Sequence, residues 1–291
     1  MIRARFLMPW LIVGLYFSFA PGELTRSPEW IKAHPDDPLP EALAVFFTSL
    51  VLLVPPAIAV WWAGSDIRDL YGRFPSGRTV AFLIGCGIPS VGLSLVAFYL
   101  VFAPLSFGFP QALQTWFSSA PMRNLYSPGP PYPLLGNVAG FLAMVVVGPI
   151  AEEWFVRGLL LARWSAKVGI LRAIIRTSVV FALLHPNPVD AFVFSFAMCG
   201  LYARFDSLWA PTLVHASHNA IVWCLAAIGP VIGEPTDIAS FAQVWKWWWL
   251  PAIGLLLMLP WALRLRGRYR PMSTWRFPVP RATDNRVVVA T

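Results

Sequence analysis

The chain has 291 residues, 57% of them hydrophobic and only 12% charged, with a mean hydropathy of +0.63. That is more apolar than a soluble domain of this length needs, so the composition points to an integral membrane protein. A net charge of +8 would suit a nucleic-acid partner in a soluble protein, but here the basic residues cluster at the ends of apolar runs, and membrane topology accounts for them. No nucleic-acid partner is expected.

Taken in chain order, the N-terminal stretch "MIRARFLMPWLIVGLYFSFAPG" has the charged start and short apolar core of a signal peptide. No convincing small-residue cleavage site precedes Pro21, so a retained first span over about 5–20 is expected. Further spans are predicted over 41–62, 79–104, 135–162, 171–186, 189–203, 208–229 and 247–264, each near the length that crosses hydrocarbon. The fifth and sixth of these eight are short. Pro55 and Pro56 are expected to kink the second span, and "WKWWW" at 245–249 reads as an aromatic belt before the last. The connection over 107–133 is read as interfacial. Cys86, Cys199 and Cys224 have neither metal-ligand nor redox spacing and are expected to be small core residues.

Placing the N-terminus inside the cell leaves Arg26, Lys32, Arg123 and Lys246 as the only basic residues of the outer connections. The remainder, apart from Arg157, fall inside. The expected protein is therefore an all-α polytopic bundle of the plasma membrane, with both termini cytoplasmic. We read residues 1–291 as one integral membrane domain, with 135–229 as a core and 265–291 as a basic cytoplasmic tail.

The core carries charges where hydrocarbon is expected. Glu152, Glu153 and Arg157 sit in "GPIAEEWFVRGLL", His185 closes the fifth span, and His215, His218 and Asn219 lie in the seventh. An ionisable group at the bilayer centre costs about 2.5–3.5 kcal/mol on insertion scales, so these residues need partners. Glu153 and Arg157 are four apart and can pair along a helix, while Glu152 is rotated about 100° away. Alone, the three charges would also fit a helix end snorkelling at the interface. Together with imidazoles and an amide on two other helices, they form the set that hydrolysis at a buried site requires. A carboxylate can take a proton from water, one histidine can hold that water, and a second imidazole with an amide can donate to an oxyanion. Ser178 and Ser217 show no base partner in the sequence, and no nucleophile elbow is present.

Glu-Glu-x-x-x-Arg at 152–157, Phe-x-x-x-His at 181–185 and His-x-x-x-Asn at 215–219 follow one another on successive apolar helices. This order resembles the CAAX protease and bacteriocin-processing family of intramembrane endopeptidases over about residues 135–229. The resemblance implies that Glu152 is the base, that His185 helps to hold the water, that His215 and Asn219 form the oxyanion site, and that Glu153 with Arg157 shapes the pocket. It implies a peptide or lipidated protein substrate in the bilayer and no cofactor. Glu152, His185 and His215 would also make a catalytic zinc site, although the usual His-Glu-x-x-His arrangement is absent. Two other readings stay open: a non-catalytic membrane scaffold or immunity-type protein of the same fold, and a transporter or proton relay, for which no inverted halves are visible.

Overall fold

The computed structural model describes residues 7, 9–13, 37–62, 71–118, 126–127, 133–185, 187–228, 249–266, 275 and 277. Among these residues the regular structure is entirely helical. In chain order the helices are α1 (Leu39–Trp62), α2 (Gly77–Gly108), α3 (Pro110–Ser118), α4 (Leu134–Val168), α5 (Ile170–Leu183), α6 (Pro188–Phe205), α7 (Trp209–Ile228) and α8 (Trp249–Arg266). Helices α1, α2 and α4 are long and apolar enough to cross a membrane, and the Trp249–Leu263 part of α8 is apolar but shorter. The first expected span falls mostly outside the described residues, although Leu7 and Leu11 are buried in the core. Residues 119–125 and 128–132 of the 107–133 connection, and Trp245, Trp247 and Trp248 of the expected aromatic belt, also lie outside them.

Helix α5 has only 14 residues. At 1.5 Å per residue it reaches about 21 Å, well short of the ~30 Å hydrocarbon core. It ends beside α4 rather than at the opposite face of the bundle. Helix α4 is the hub, with α1, α5 and α7 packed around it. Trp154, Phe155, Val156, Leu159, Leu160 and Leu161 are all buried, as expected of a helix apolar on every side.

Small residues set the close approaches. A Cβ on Gly92 of α2 would come within 2.5 Å of the Gly254 carbonyl oxygen on α8, and the reverse contact is equally tight. The two backbones can touch only because neither residue has a side chain. Gly87 is crowded in the same way by Ser217 of α7, whose hydroxyl donates to the Ile84 carbonyl at 2.7 Å. Cys86 and Cys199 are buried as expected, but Cys224 is exposed on the outer face of α7. Its apolar neighbourhood in the sequence was that of a lipid-facing surface, which in a membrane protein is as apolar as the core.

Between α6 and α7 the chain turns at Asp206, whose φ of 50° is left-handed, a conformation that aspartate tolerates better than most residues. The adjoining Ser207 hydroxyl donates to the carbonyls of Tyr71 and Arg73, and the Leu208 amide also donates to Tyr71. The stretch before α2 is thereby fixed to the base of α7.

Candidate active site

The site begins with a backbone irregularity in α4. Leu142–Val147 and Trp154–Leu161 are wound as π-helix, flanking an α-helical Gly148–Glu153. In a π turn each N–H donates five residues back, as Gly148 does to the Ala143 carbonyl. The next donor in that series would be residue 149, which is proline and has no N–H. The Met144 carbonyl it would have served accepts instead from the Asn219 side-chain Nδ2 at 2.8 Å. A buried carbonyl in the membrane needs a donor, and Asn219 on α7 supplies it. Because a carbonyl can only accept, the amide group facing it is the NH₂, which keeps one further hydrogen and Oδ1 for other partners.

Downstream of that turn the two glutamates have different surroundings. Glu153 is fully buried and its Oε1 accepts from Arg157 Nη1 at 2.9 Å and from His215 Nδ1 at 3.0 Å. Arg157, also fully buried, donates through Nη2 to the Ser195 carbonyl on α6 at 3.2 Å and lies over the Phe181 ring at 4.6 Å. Four helices therefore meet at one ion pair, which is what allows a charge to be held there. The π winding does not break the expected Glu153–Arg157 pairing.

Glu152 is about a quarter exposed, and its Oε2 makes no hydrogen bond among the described residues. It faces His185 Nε2 at 3.7 Å and His215 Nε2 at 3.8 Å. Both distances exceed a direct hydrogen bond and suit groups bridged by one small polar molecule. The tautomers follow from the far side of each ring. His185 Nδ1 donates to the Phe181 carbonyl at 2.7 Å and His215 Nδ1 donates to Glu153, so in the neutral rings both Nε2 atoms present lone pairs towards Glu152.

The fifth span, expected to be short over 171–186, is short: its helix covers Ile170–Leu183. A full-length span would have carried His185 towards the outer surface, away from Glu152. The shortness of α5 brings it to the level of the carboxylates instead. Glu152, Glu153, Arg157, His185 and His215 are thus gathered directly, and Asn219 joins through the Met144 carbonyl.

Phe181 of the Phe-x-x-x-His motif stacks on His185 at 4.3 Å. Several other neighbours were not legible as site residues: Phe194 lies against both His215 at 5.0 Å and His218 at 4.9 Å. Asp190 lies in the first turn of α6. Its N–H is received by the Asn187 side chain, an N-cap that starts α6 immediately after the His185 turn. Tyr71 directs its hydroxyl to the Ile150 carbonyl at 3.5 Å and stacks on Trp154. Burial, and then the Glu153 carboxylate, push its hydroxyl up to about 12, which keeps it a neutral donor. The structure also brings a serine to a histidine that the sequence did not pair: Ser90 Oγ lies 3.0 Å from His218 Nδ1. The Ser90 proton goes to the Gly87 carbonyl at 2.7 Å, so His218 is the donor to Ser90 and the serine is not activated as a nucleophile.

Zinc ligands at 2.0–2.1 Å in a tetrahedron are about 3.3 Å apart. The Glu152–His185 and Glu152–His215 separations are 3.7 and 3.8 Å, so Glu152, His185 and His215 would each have to move by a few tenths of an ångström to hold zinc. The chemistry below is written through the chain's own residues.

Residues 134–221 match the family model described as type II CAAX prenyl endopeptidase Rce1-like. The matched segment contains Glu152, Glu153, Arg157, His185, His215 and Asn219. No curated protein and no solved structure matches the chain.

Proposed function

From the premise that residues 134–221 are an Rce1-like domain of a membrane peptidase family, we propose that the protein is an intramembrane endopeptidase. Its substrate is a membrane-associated or lipidated protein or peptide, and its nucleophile is a water activated by Glu152. The observation that carries this reading is the contrast between the two glutamates: Glu153 is paired through Oε1 with Arg157 and His215, whereas Glu152 has no partner at hydrogen-bond distance among the described residues and its Oε2 faces the Nε2 atoms of His185 and His215 at 3.7 and 3.8 Å.

In the proposed reaction a water held between Glu152 Oε2 and the His185 and His215 Nε2 atoms gives a proton to Glu152 as its oxygen attacks the carbonyl carbon of the scissile peptide. The tetrahedral oxyanion collapses, the C–N bond breaks, and the proton held by Glu152 passes to the departing amine. In this scheme His215 enters and leaves the cycle as an imidazolium: its Nδ1–H stays on the Glu153 carboxylate, and its Nε2–H donates first to the water oxygen and then to the oxyanion without being transferred. Asn219 contributes its remaining amide hydrogen. The reaction is written without a metal; the expected outcome is that a chelator leaves the rate unchanged, and stoichiometric zinc whose removal abolishes cleavage would replace this scheme.

The proposed topology has eight spans in one domain, both termini and the 265–291 tail in the cytoplasm, and the plasma membrane as its location. It is supported by the distribution of arginine and lysine.

Mass spectrometry of membrane-protein termini in cells carrying either the native protein or Glu152→Gln tests the activity. New C-termini that vanish in the variant are expected. Identical sets of termini would argue for a non-catalytic role.

A further inference from the structure

Outside the glutamate site, α2, α6, α7 and α8 enclose a cleft of about 370 Å³, within the range of small-molecule sites. None of Glu152, Glu153, His185, His215 or Asn219 lines it. Its walls are apolar, with Leu93, Met198, Leu201 and Met258 among them. Of its polar lining groups, Ser90 is already satisfied by the Gly87 carbonyl and His218. Arg204 is the one charged side chain among the described lining residues. No carboxylate among the described residues pairs with it, and its nearest charge-related contact is the neighbouring Phe205 ring at 5.7 Å.

Arg204 lies in the last turn of α6, one residue before its end, while Ala197 lines the same cleft seven residues earlier, about 10 Å along the axis. The cleft therefore runs from a helix end into the apolar depth of the bundle. Trp261 and Trp275 flank it, the residue type that favours the boundary between headgroups and chains. A cation at one end and hydrocarbon along the rest match one kind of molecule that a membrane supplies. We propose that the cleft binds an anionic diacyl phospholipid, with part of a hydrocarbon chain between α2, α6 and α8 and the headgroup phosphate on Arg204. A guanidinium and a phosphate can form a two-pronged, charge-assisted contact, which a zwitterionic headgroup offers with its charge already balanced. The alternative role for Arg204, a cation complementing the C-terminal end of the α6 dipole, predicts no lipid preference.

The test uses the purified full chain, incubated with phosphatidylglycerol or with phosphatidylcholine of the same chains, and native mass spectrometry to count retained lipid. The native protein should retain phosphatidylglycerol preferentially. Arg204→Gln should weaken that preference about tenfold, the size of one charge-assisted contact. Arg204→Lys, which keeps the charge, should retain part of it and remains informative if the glutamine variant does not fold. Ala197→Trp, filling the cleft, should lower retention of both lipids. Equal retention of the two lipids by the native protein, or a preference that survives Arg204→Gln, would overturn the proposal. Proteolysis is not read in this experiment, so its outcome is independent of the peptidase reading.

Discussion

Two adjacent carboxylates, one covalent step apart, occupy opposite extremes of environment. The Glu153 side of the site is closed: a carboxylate, a guanidinium, an imidazole and the Ser195 carbonyl are bonded to one another with no exposure at the ion pair, although Glu153 Oε2 and Arg157 Nε have no hydrogen-bond partner among the described residues. The Glu152 side is more open: its side chain is about a quarter exposed, and its Oε2, itself buried, faces two histidines at distances no direct hydrogen bond spans. The difference teaches a division of labour. A buried ion pair of this kind is weak evidence for net stability but strong evidence for fixed geometry, because removing either member strands the other. The closed half thus holds the His215 ring in one orientation, and the open half is where a proton can be exchanged.

Breaking the closed half should have the largest effect on folding. Arg157→Ala strands Glu153 in a dry core, and a loss of roughly 3–5 kcal/mol is expected, read as a lower melting temperature of the purified protein. Activity should fall with the folded fraction.

A smaller effect sharpens the role of Asn219. Asn219→Ala leaves the Met144 carbonyl without a donor, which should cost about 1–3 kcal/mol. Pro149→Ala in that background restores a backbone N–H at the position from which a π turn would serve Met144. If Asn219 acts only through this carbonyl, the double variant recovers both melting temperature and cleavage. If it also donates to the oxyanion, stability returns and activity does not. The smallest effect belongs on the outer face of α7: Cys224→Ser, away from both halves, should change stability by no more than about 0.5 kcal/mol.

Much of this site was legible because its residue types are expensive in a membrane. Glu152, Glu153, Arg157, His185 and His215 stand out against apolar surroundings, and the i, i+4 spacing alone pairs Glu153 with Arg157. What was not legible depended on distances across helices and on backbone winding. The short apolar run over 171–186 anticipates the length of α5, but not the distance at which its end meets Glu152 of α4. The π turns were foreshadowed only by Gly148-Pro149, a pair that sequence reasoning treats as tolerable in a membrane helix without saying which carbonyl it frees. Ser90 and His218 are 128 positions apart and carry no shared pattern, so their contact belongs to the packing of α2 on α7 alone. Cys224 was misplaced because lipid and core select the same side chains.

The central claim is that Glu152, and not Glu153, takes the proton. The direct measurement is single-turnover cleavage of a substrate identified from the terminus analysis, by the native protein and by Glu152→Gln in the same lipid, with melting temperatures recorded alongside. Loss of roughly 10²- to 10⁴-fold in rate with an unchanged melting temperature is expected, the range of general-base catalysis. A Glu152→Gln variant that cleaves at the native rate would contradict the account.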